Sequence, residues 1–402
     1  MRRSEARLVA VTNAWPPMAA GAGGLLKGML GRRRDTVVLA PRAAGDGAGE
    51  GARVLPVLRF SGRTGGPFKI YSVLHQLEVL LAPLVWCLIH RSRRPELVVC
   101  VQPLAAGVGG WLTRRLFGIP YLVLVHGEEL TLLLRDRTPF RLRLRLQRLA
   151  LRGAAAVVCN TTNTRRAAAE LYGVPEAKLW VVYPAIDIEE GEGEPVSAAL
   201  AFRERLVGGN VPVILTVGRL SERHKGFDTA ILATAAIARS VPHVKLVIVG
   251  PGDQSALRAT AKSAGVTERV VFTGLLDRVD LLRLFRTCDV FLLPGREVGT
   301  TAEGFGIVYL EAARFAKPVV AGRAGGVPEA VVDGTTGVLV DGGSAAEVAG
   351  AVAALLADRP RAERLGQEGR ERVLRDFDGR RQHEQFARLV EELLGARERE
   401  EP

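Results

Sequence analysis

Apolar residues come in two kinds of stretch along this chain. Short unbroken runs at 8–12, 36–39, 97–101, 121–125, 155–159 and 179–183 read as buried parallel strands. Longer segments with helical spacing separate several of them, at 71–90, 141–151 and 164–172. The alternation starts again after the Gly/Glu/Pro tract at 189–195, with apolar runs at 213–217, 245–249, 270–273, 290–293, 318–321 and 337–340. Strands alternating with helices predict parallel sheets joined by right-handed crossovers. Two rounds predict an α/β chain of two doubly wound, Rossmann-like domains, at 1–195 and 196–380. Ligands in such sheets bind at the carboxyl ends of the strands, and the crevice between the domains is the expected site. Segments 344–357 and 361–396 read as charged amphipathic helices with solvated Glu/Arg faces. The last part, 381–402, is expected to pack back on the first domain. Disorder is expected only at 43–52 and after 397.

Length agrees with two domains, because 402 residues exceed what one hydrophobic core usually supports. Cys87, Cys100, Cys159 and Cys288 are scattered, with no CxxC pair and no His at metal spacing. They are expected to be buried free thiols in a reducing compartment. The amino terminus runs from Met1-Arg2-Arg3 straight into an apolar strand without a leader-like core, so a cytoplasmic protein is expected. The longest apolar run, 79–89, contains Pro83 and is too short to cross a membrane. Charge changes the picture more. Through Pro195 there are 27 Lys and Arg against 16 Asp and Glu, whereas the remainder has 28 against 27. An anionic partner should therefore meet the first half.

The chemistry-bearing residues sit where strands end. Glu303-Gly304-Phe305-Gly306-Ile307 leads on to Glu311, two carboxylates around a glycine pair. Eight helical positions rotate roughly 80° and climb about 12 Å, so two helical residues so placed would not point at one small group. Glu303 is expected in the loop and Glu311 inside a helix, each reaching a different part of an extended ligand. Glycines let such a ligand approach the backbone, and a helix start favours anions. Val217-Gly218-Arg219 and Lys225-Gly226 bring a planar fork and a mobile point charge to another strand end, suited to a diphosphate. Val249-Gly250-Pro251-Gly252 is a weaker turn signal of the same kind. Val125-His126-Gly127-Glu128-Glu129 offers a histidine for a sugar hydroxyl or for proton transfer. Near the amino terminus, Gly21-Ala22-Gly23-Gly24 is a glycine loop whose spacing matches neither GxGxxG nor a Walker A motif, which disfavours a dinucleotide oxidoreductase.

Arg219, Lys225, Glu303-Gly-Phe-Gly, Glu311-Ala, Lys317-Pro-Val-Val and Gly325-Gly-Val-Pro-Glu329 occur in the order and spacing of retaining GT-B glycosyltransferases. The chain most resembles glycosyltransferase family 4, a family of bacterial hexosyl- and mannosyltransferases. The resemblance implies a nucleotide sugar, GDP- or UDP-linked, in the second domain and an acceptor in the first. By that resemblance Arg219 and Lys225 bind the diphosphate and Glu303 meets the hexose at the reacting carbon. Glu311 accepts from the ribose, while Gly250, Gly304, Phe305, Gly306 and Ile307 line the donor. His126 approaches the sugar from the first domain, and Gly23 and Gly24 line the acceptor side. The resemblance implies retention by front-face displacement without an obligatory metal. Three departures stand out: a long loop at 295–302, His224 intervening before Lys225, and Arg314-Phe315-Ala316 where relatives often carry Ala-Cys-Gly.

On the acceptor side, Arg141, Arg145, Arg148 and Arg152 form one helical stripe beside leucines. Such a ridge suits an anionic membrane surface, with segment 71–89 and Arg91, Arg93 and Arg94 as a second candidate. Nucleic acid fits poorly, because the basic segments lack interleaved aromatics. The expected activity is hexosyl transfer to a lipid-linked or glycan acceptor of the cell envelope. The alternatives are a soluble-sugar or glucan transferase of the same fold and a non-catalytic GT-B scaffold.

Overall fold

The computed structural model describes residues 7–12, 26, 28–41, 52–58, 68–131, 140–188 and 193–400. It divides into two compact units, 1–186 with 379–402, and 187–378. The division precedes the tract at 189–195, because Glu194 in that tract is bonded into the second unit. Glu194 pairs with Arg283 at 2.5 Å and accepts from Arg286 at its carbonyl at 2.6 Å.

The first unit holds a fully parallel sheet of seven strands: β1 Leu8–Val11, β2 Thr36–Pro41, β3 Arg53–Leu58, β4 Leu97–Val101, β5 Tyr121–Val125, β6 Ala156–Cys159 and β7 Leu179–Val181. Their order is β3-β2-β1-β4-β5-β6-β7, with the reversal between β1 and β4. The sequence pattern does not reveal β3, since Arg53 and Pro56 interrupt its apolar run and an edge strand tolerates both. The central strands are buried on both faces, as continuous apolar runs require. On one face the helices Phe68–Ile89, Ala105–Phe117 and Phe140–Gly153 pack side by side. On the other, Leu26, Met29 and Leu30 meet Phe386, Leu389, Val390 and Leu394 of the last helix, Gly379–Glu400. Gln382 donates to the Tyr183 carbonyl at 2.9 Å, so that helix is anchored at its start.

The second unit holds a parallel sheet of six strands: β8 Val213–Val217, β9 Lys245–Val249, β10 Val270–Gly274, β11 Val290–Leu293, β12 Val319–Gly322 and β13 Val338–Val340. The order is β10-β9-β8-β11-β12-β13, with the reversal between β8 and β11. Both sheets are therefore doubly wound, as the alternating pattern predicts.

Two sequence expectations need correction. The charged amphipathic pattern over 361–396 carries no break, and the structure divides it into Arg359–Asp376 and Gly379–Glu400, the second being the carboxyl-terminal helix expected at 381–402. Phe377 leaves helical geometry at φ −125° and buries its ring against Phe305, so a tertiary contact breaks a pattern that looks continuous. The last helix also runs on to Glu400, past the expected end at 397. The glycine loop with Gly23 and Gly24, and the tract at 43–51, lie outside the described residues. All four cysteines are buried and free.

Candidate functional site

The second sheet positions its chemistry at the switch point. β8 pairs with β11 only at Val290↔Ile214 and Phe291↔Leu215, whereas it pairs with β9 along its whole length. Beyond Leu215 the two strands part, and the loops after them take up the opening. Gly218 donates to the Val249 carbonyl, Leu220 to Pro251 and Gly250 to Gly274, each at 2.9 Å, which stitches the ends of β8, β9 and β10 together. Gly250 sits at φ 147°, and a side chain there would overlap the Gly218 carbonyl. Its place is against that backbone, which fixes the loop carrying Arg219.

Lys225 ends a short turn after that loop, and Glu303 follows β11. Their side chains meet at 2.7 Å, although 78 positions separate them in sequence. Both are largely buried, with 12% and 15% of the side chain exposed. Burial alone would raise the Glu303 pKa. The Lys225 charge and hydrogen bond, with help from His224 and the Gly304 amide, overcome it and hold the carboxylate below its usual range. Burial opposes the Lys225 charge in turn, yet Glu303 and Glu222 keep its pKa raised. The pair is therefore ionised at neutral pH. Burial lowers the His224 pKa despite the nearby carboxylates, so His224 is neutral there.

Glu222 carries no motif of its own in the sequence, and it bridges the two cations expected at a diphosphate. It pairs with Arg219 and lies 3.4 Å from Lys225. Its spacing, three residues from each, is the signal that could have found it. Arg219 itself is 65% exposed at its side chain.

Glu303 is held through its backbone as well. Its carbonyl accepts from Gly326 at 3.0 Å, and Gly325, at φ 57°, lies against it. The preceding Gly295 carbonyl is wedged between Gly322 and Gly342, where side chains would collide with it. The long loop at 295–302 closes on itself, Val298 and Thr301 exchanging backbone hydrogen bonds at 2.9 and 3.2 Å. Arg296 ties it to Asp228 at 2.7 Å.

Gly306, at φ 84°, turns the chain into the helix Ile307–Ala313. In its first turn Tyr309 donates back to the Gly306 carbonyl at 3.0 Å, while the Gly304 amide, before the helix, serves the Glu303 carboxylate. The Phe305 ring points away, buried beside Phe377. Tyr309 stays a neutral phenol, its pKa raised by burial and by Glu303, and donates to the Leu293 carbonyl at 3.0 Å. Glu311 is buried in that helix and pairs with Arg278 at 2.5 Å. Arg278 opens the helix Arg278–Thr287 after β10, and no local signal marks it. The segments after β8 and β11 thus join Arg219, Glu222, Lys225 and Glu303 through ion pairs, and those after β10 and β11 bring Arg278 to Glu311, so both clusters include a partner that sequence reasoning missed.

His126 lies in the first unit, at the carboxyl end of β5. Its amide donates to Glu129 at 3.1 Å, and its carbonyl accepts from Asn160 at 3.0 Å. Glu129 thereby serves the loop rather than a substrate. The His126 Nε2 atom is buried and has no hydrogen-bond partner. Gln102, at the carboxyl end of β4, adopts φ 88°, a left-handed conformation costly for a side chain.

Comparison with known proteins respects this division of the chain. Residues 200–372 match the family model Glycosyl transferases group 1, and residues 18–185 match Glycosyl transferase 4-like domain. A GDP-mannose-dependent alpha-(1-6)-phosphatidylinositol monomannoside mannosyltransferase of Mycolicibacterium smegmatis is 41% identical over 58% of this chain and 61% of its own length. The chain therefore spans about three fifths of that relative. A 2-deoxystreptamine glucosyltransferase of Streptomyces kanamyceticus is 32% identical over 69% of this chain and 73% of its own. Among solved structures, a sucrose-phosphate synthase of Thermosynechococcus elongatus superposes with a TM-score of 0.78 at 22% identity, covering 97% of this chain and 99% of that one. Anabaena HepE in complex with UDP-glucose gives 0.74 at 24%, over 96% and 99%. These likenesses show the fold.

Proposed function

The chain belongs to the group 1 glycosyltransferases of the GT-B fold, and we propose that it moves a hexose, with retention, from a nucleotide-diphosphate sugar to a lipid-linked acceptor. The observation that carries this reading is the ionised Lys225–Glu303 pair at the switch point, with Arg219 beside it. In the proposed reaction the acceptor oxygen bonds to the anomeric carbon on the face the diphosphate leaves. The C–O bond to the diphosphate breaks with its electron pair going to the phosphate oxygen, which takes the acceptor proton. Such a step depends on neutralising charge at the leaving group. Arg219 and Lys225 supply that charge without an obligatory metal. Glu303 holds the hexose hydroxyls, and Glu311, oriented by Arg278, holds the ribose. His126 would serve the sugar from the first unit.

The mannosyltransferase relative supports GDP-mannose as donor and an inositol phospholipid glycan of the cell envelope as acceptor. The basic first half supports action at the inner face of an anionic membrane. The glucosyltransferase relative supports a second reading, a soluble cyclitol or sugar acceptor, and a UDP-hexose is the other donor weighed for it. Melting the protein with GDP, UDP and ADP separates the donors, since a nucleotide at 100 times its Kd adds about 2.7 kcal/mol. Incubation with GDP-mannose and an inositol phospholipid should yield a mannolipid, and the yield should survive a chelator. A shift with UDP alone, together with transfer to a soluble cyclitol only, would replace the first reading with the second. No shift with any nucleotide would overturn both.

A further inference from the structure

The chain passes from one unit to the other twice, between Ile186 and Asp187 and between Asp378 and Gly379. On the side of the first unit these passages lie close together, since a side chain at Gly379 would meet the Ile186 carbonyl at 3.7 Å. On the side of the second unit both are fastened to one short element, the helix Ile307–Ala313 with its flanking residues. Arg314 caps the carboxyl end of that helix and is 4% exposed. Its Nη1 donates at 2.5 Å to the carbonyl of Asp187, the first residue after the earlier passage. Phe305 stands just before the helix and meets the Phe377 ring edge-on at 5.6 Å. Phe377 directly precedes Asp378, the last residue before the later passage.

The surroundings of Arg314 hold it in place. Its guanidinium lies over the Phe315 ring at 4.6 Å, and its carbonyl accepts from Arg370 Nε at 2.9 Å. Ala316 adopts φ 54°, a left-handed conformation that costs about 1–2 kcal/mol for a residue with a side chain. Such strain persists only where neighbouring contacts over-determine it, and it gathers at functional segments. A side chain at Gly366 would overlap the Ala316 carbonyl, so the helix Arg359–Asp376 closes directly on that turn. Desolvating a guanidinium is costly unless its hydrogen bonds are met, and one partner of this buried cation is the backbone of a passage between units. Arg314 also belongs to one of the chain's three departures from the family pattern. Glu311, the ribose contact of the proposed reaction, is three residues from it, about one helical turn.

We propose that Arg314 is a positioning residue that couples the nucleotide seat to the passage at Asp187. A nucleotide held by Glu311 orders the helix, Arg314 with it, and through the Asp187 carbonyl the start of the second unit. A coupling free energy is shared by both sites, so loosening Asp187 weakens nucleotide binding in return. The proposal rests on the nucleotide-sugar reading and adds a residue that itself touches no substrate.

Hydrogen exchange on the full chain, with and without whichever of GDP and UDP raises the melting temperature, reads both passages. In the wild type the nucleotide should slow exchange over 184–188 and over 376–380 at least about fivefold. Arg314→Met keeps an apolar stem over Phe315 and removes the donor. It should abolish the slowing over 184–188 and leave that over 376–380. Its donor KM should rise about tenfold with kcat unchanged at saturating donor. Arg314→Lys, which can still donate to a carbonyl, should restore both the protection and the KM. A role in packing alone would lower the melting temperature of Arg314→Met while its KM and nucleotide protection stayed as in the wild type, and that result would overturn the proposal. So would a wild type whose melting temperature rises with nucleotide while 184–188 gains no protection. That outcome leaves the donor reading standing, whereas absence of any melting shift would remove the donor reading and this coupling with it.

Discussion

At the switch point of the second sheet, β8 and β11 pair at only two positions, and the space beyond is filled by loops locked together. Glycines let their backbones touch, and the charges at their tips are already paired. At the corresponding point of the first sheet, β1 pairs with β4 along all four of its residues. The described residues there carry Gln102 at φ 88°, and on the neighbouring strand end His126 with an unsatisfied ring nitrogen. Among the described residues, the same winding therefore carries a preassembled charge cluster in one unit, and a left-handed backbone turn and an unpartnered imidazole nitrogen in the other. A diphosphate has a constant geometry that rigid charges match without reorganising. On the proposed reading acceptors differ, and residues facing them would need only a few directed polar groups.

Glu303→Gln should strike the charge cluster hardest. Transfer should fall about a thousandfold, the scale of losing one electrostatic contact in a transition state, while GDP still raises the melting temperature. Wild-type turnover in that variant would break the comparison at its root. Gly322→Ala tests the locking of the loops. The added methyl meets the Gly295 carbonyl, and thermal denaturation should show a loss of about 3 kcal/mol. Gly350→Ala, at an exposed helical position with open space around it, should instead gain about 0.5–1 kcal/mol. His126→Ala probes the other unit. Steady-state kinetics should show kcat reduced about a hundredfold with the nucleotide Kd unchanged. A weakened nucleotide Kd would erase the division between the units. The smallest effect belongs to Glu222→Gln. Removing the carboxylate that pairs with Arg219 should tighten nucleotide binding about fivefold, as one charged hydrogen bond no longer competes, measured by titration calorimetry.

Much of this site was legible because its residues mark the ends of regular elements. Arg219 and Lys225 come after a strand and flank a turn, and Glu303 and Glu311 straddle a glycine hinge before a helix. Arg278 was not legible. It meets Glu311 only because β10 and β11 end on the same side of the sheet. Glu222 was half legible, by spacing, but its link to Lys225 and so to Glu303 needed the fold. The pattern over 361–396 did not show where one helix ends and the next begins, since a charged amphipathic repeat cannot show that Phe377 is claimed by Phe305.

Periodicity alone determined the alternation of strands and helices, both doubly wound sheets and the placing of the chemistry at strand ends. Those features arise from local backbone preference and from which side chains avoid water, both written residue by residue. Only the tertiary structure decided which charges neutralise one another, which glycines serve backbone contact, and which apolar side of the helix Phe68–Ile89 stays uncovered. Pairing and burial depend on distances across the fold, and no local pattern in the chain encodes them.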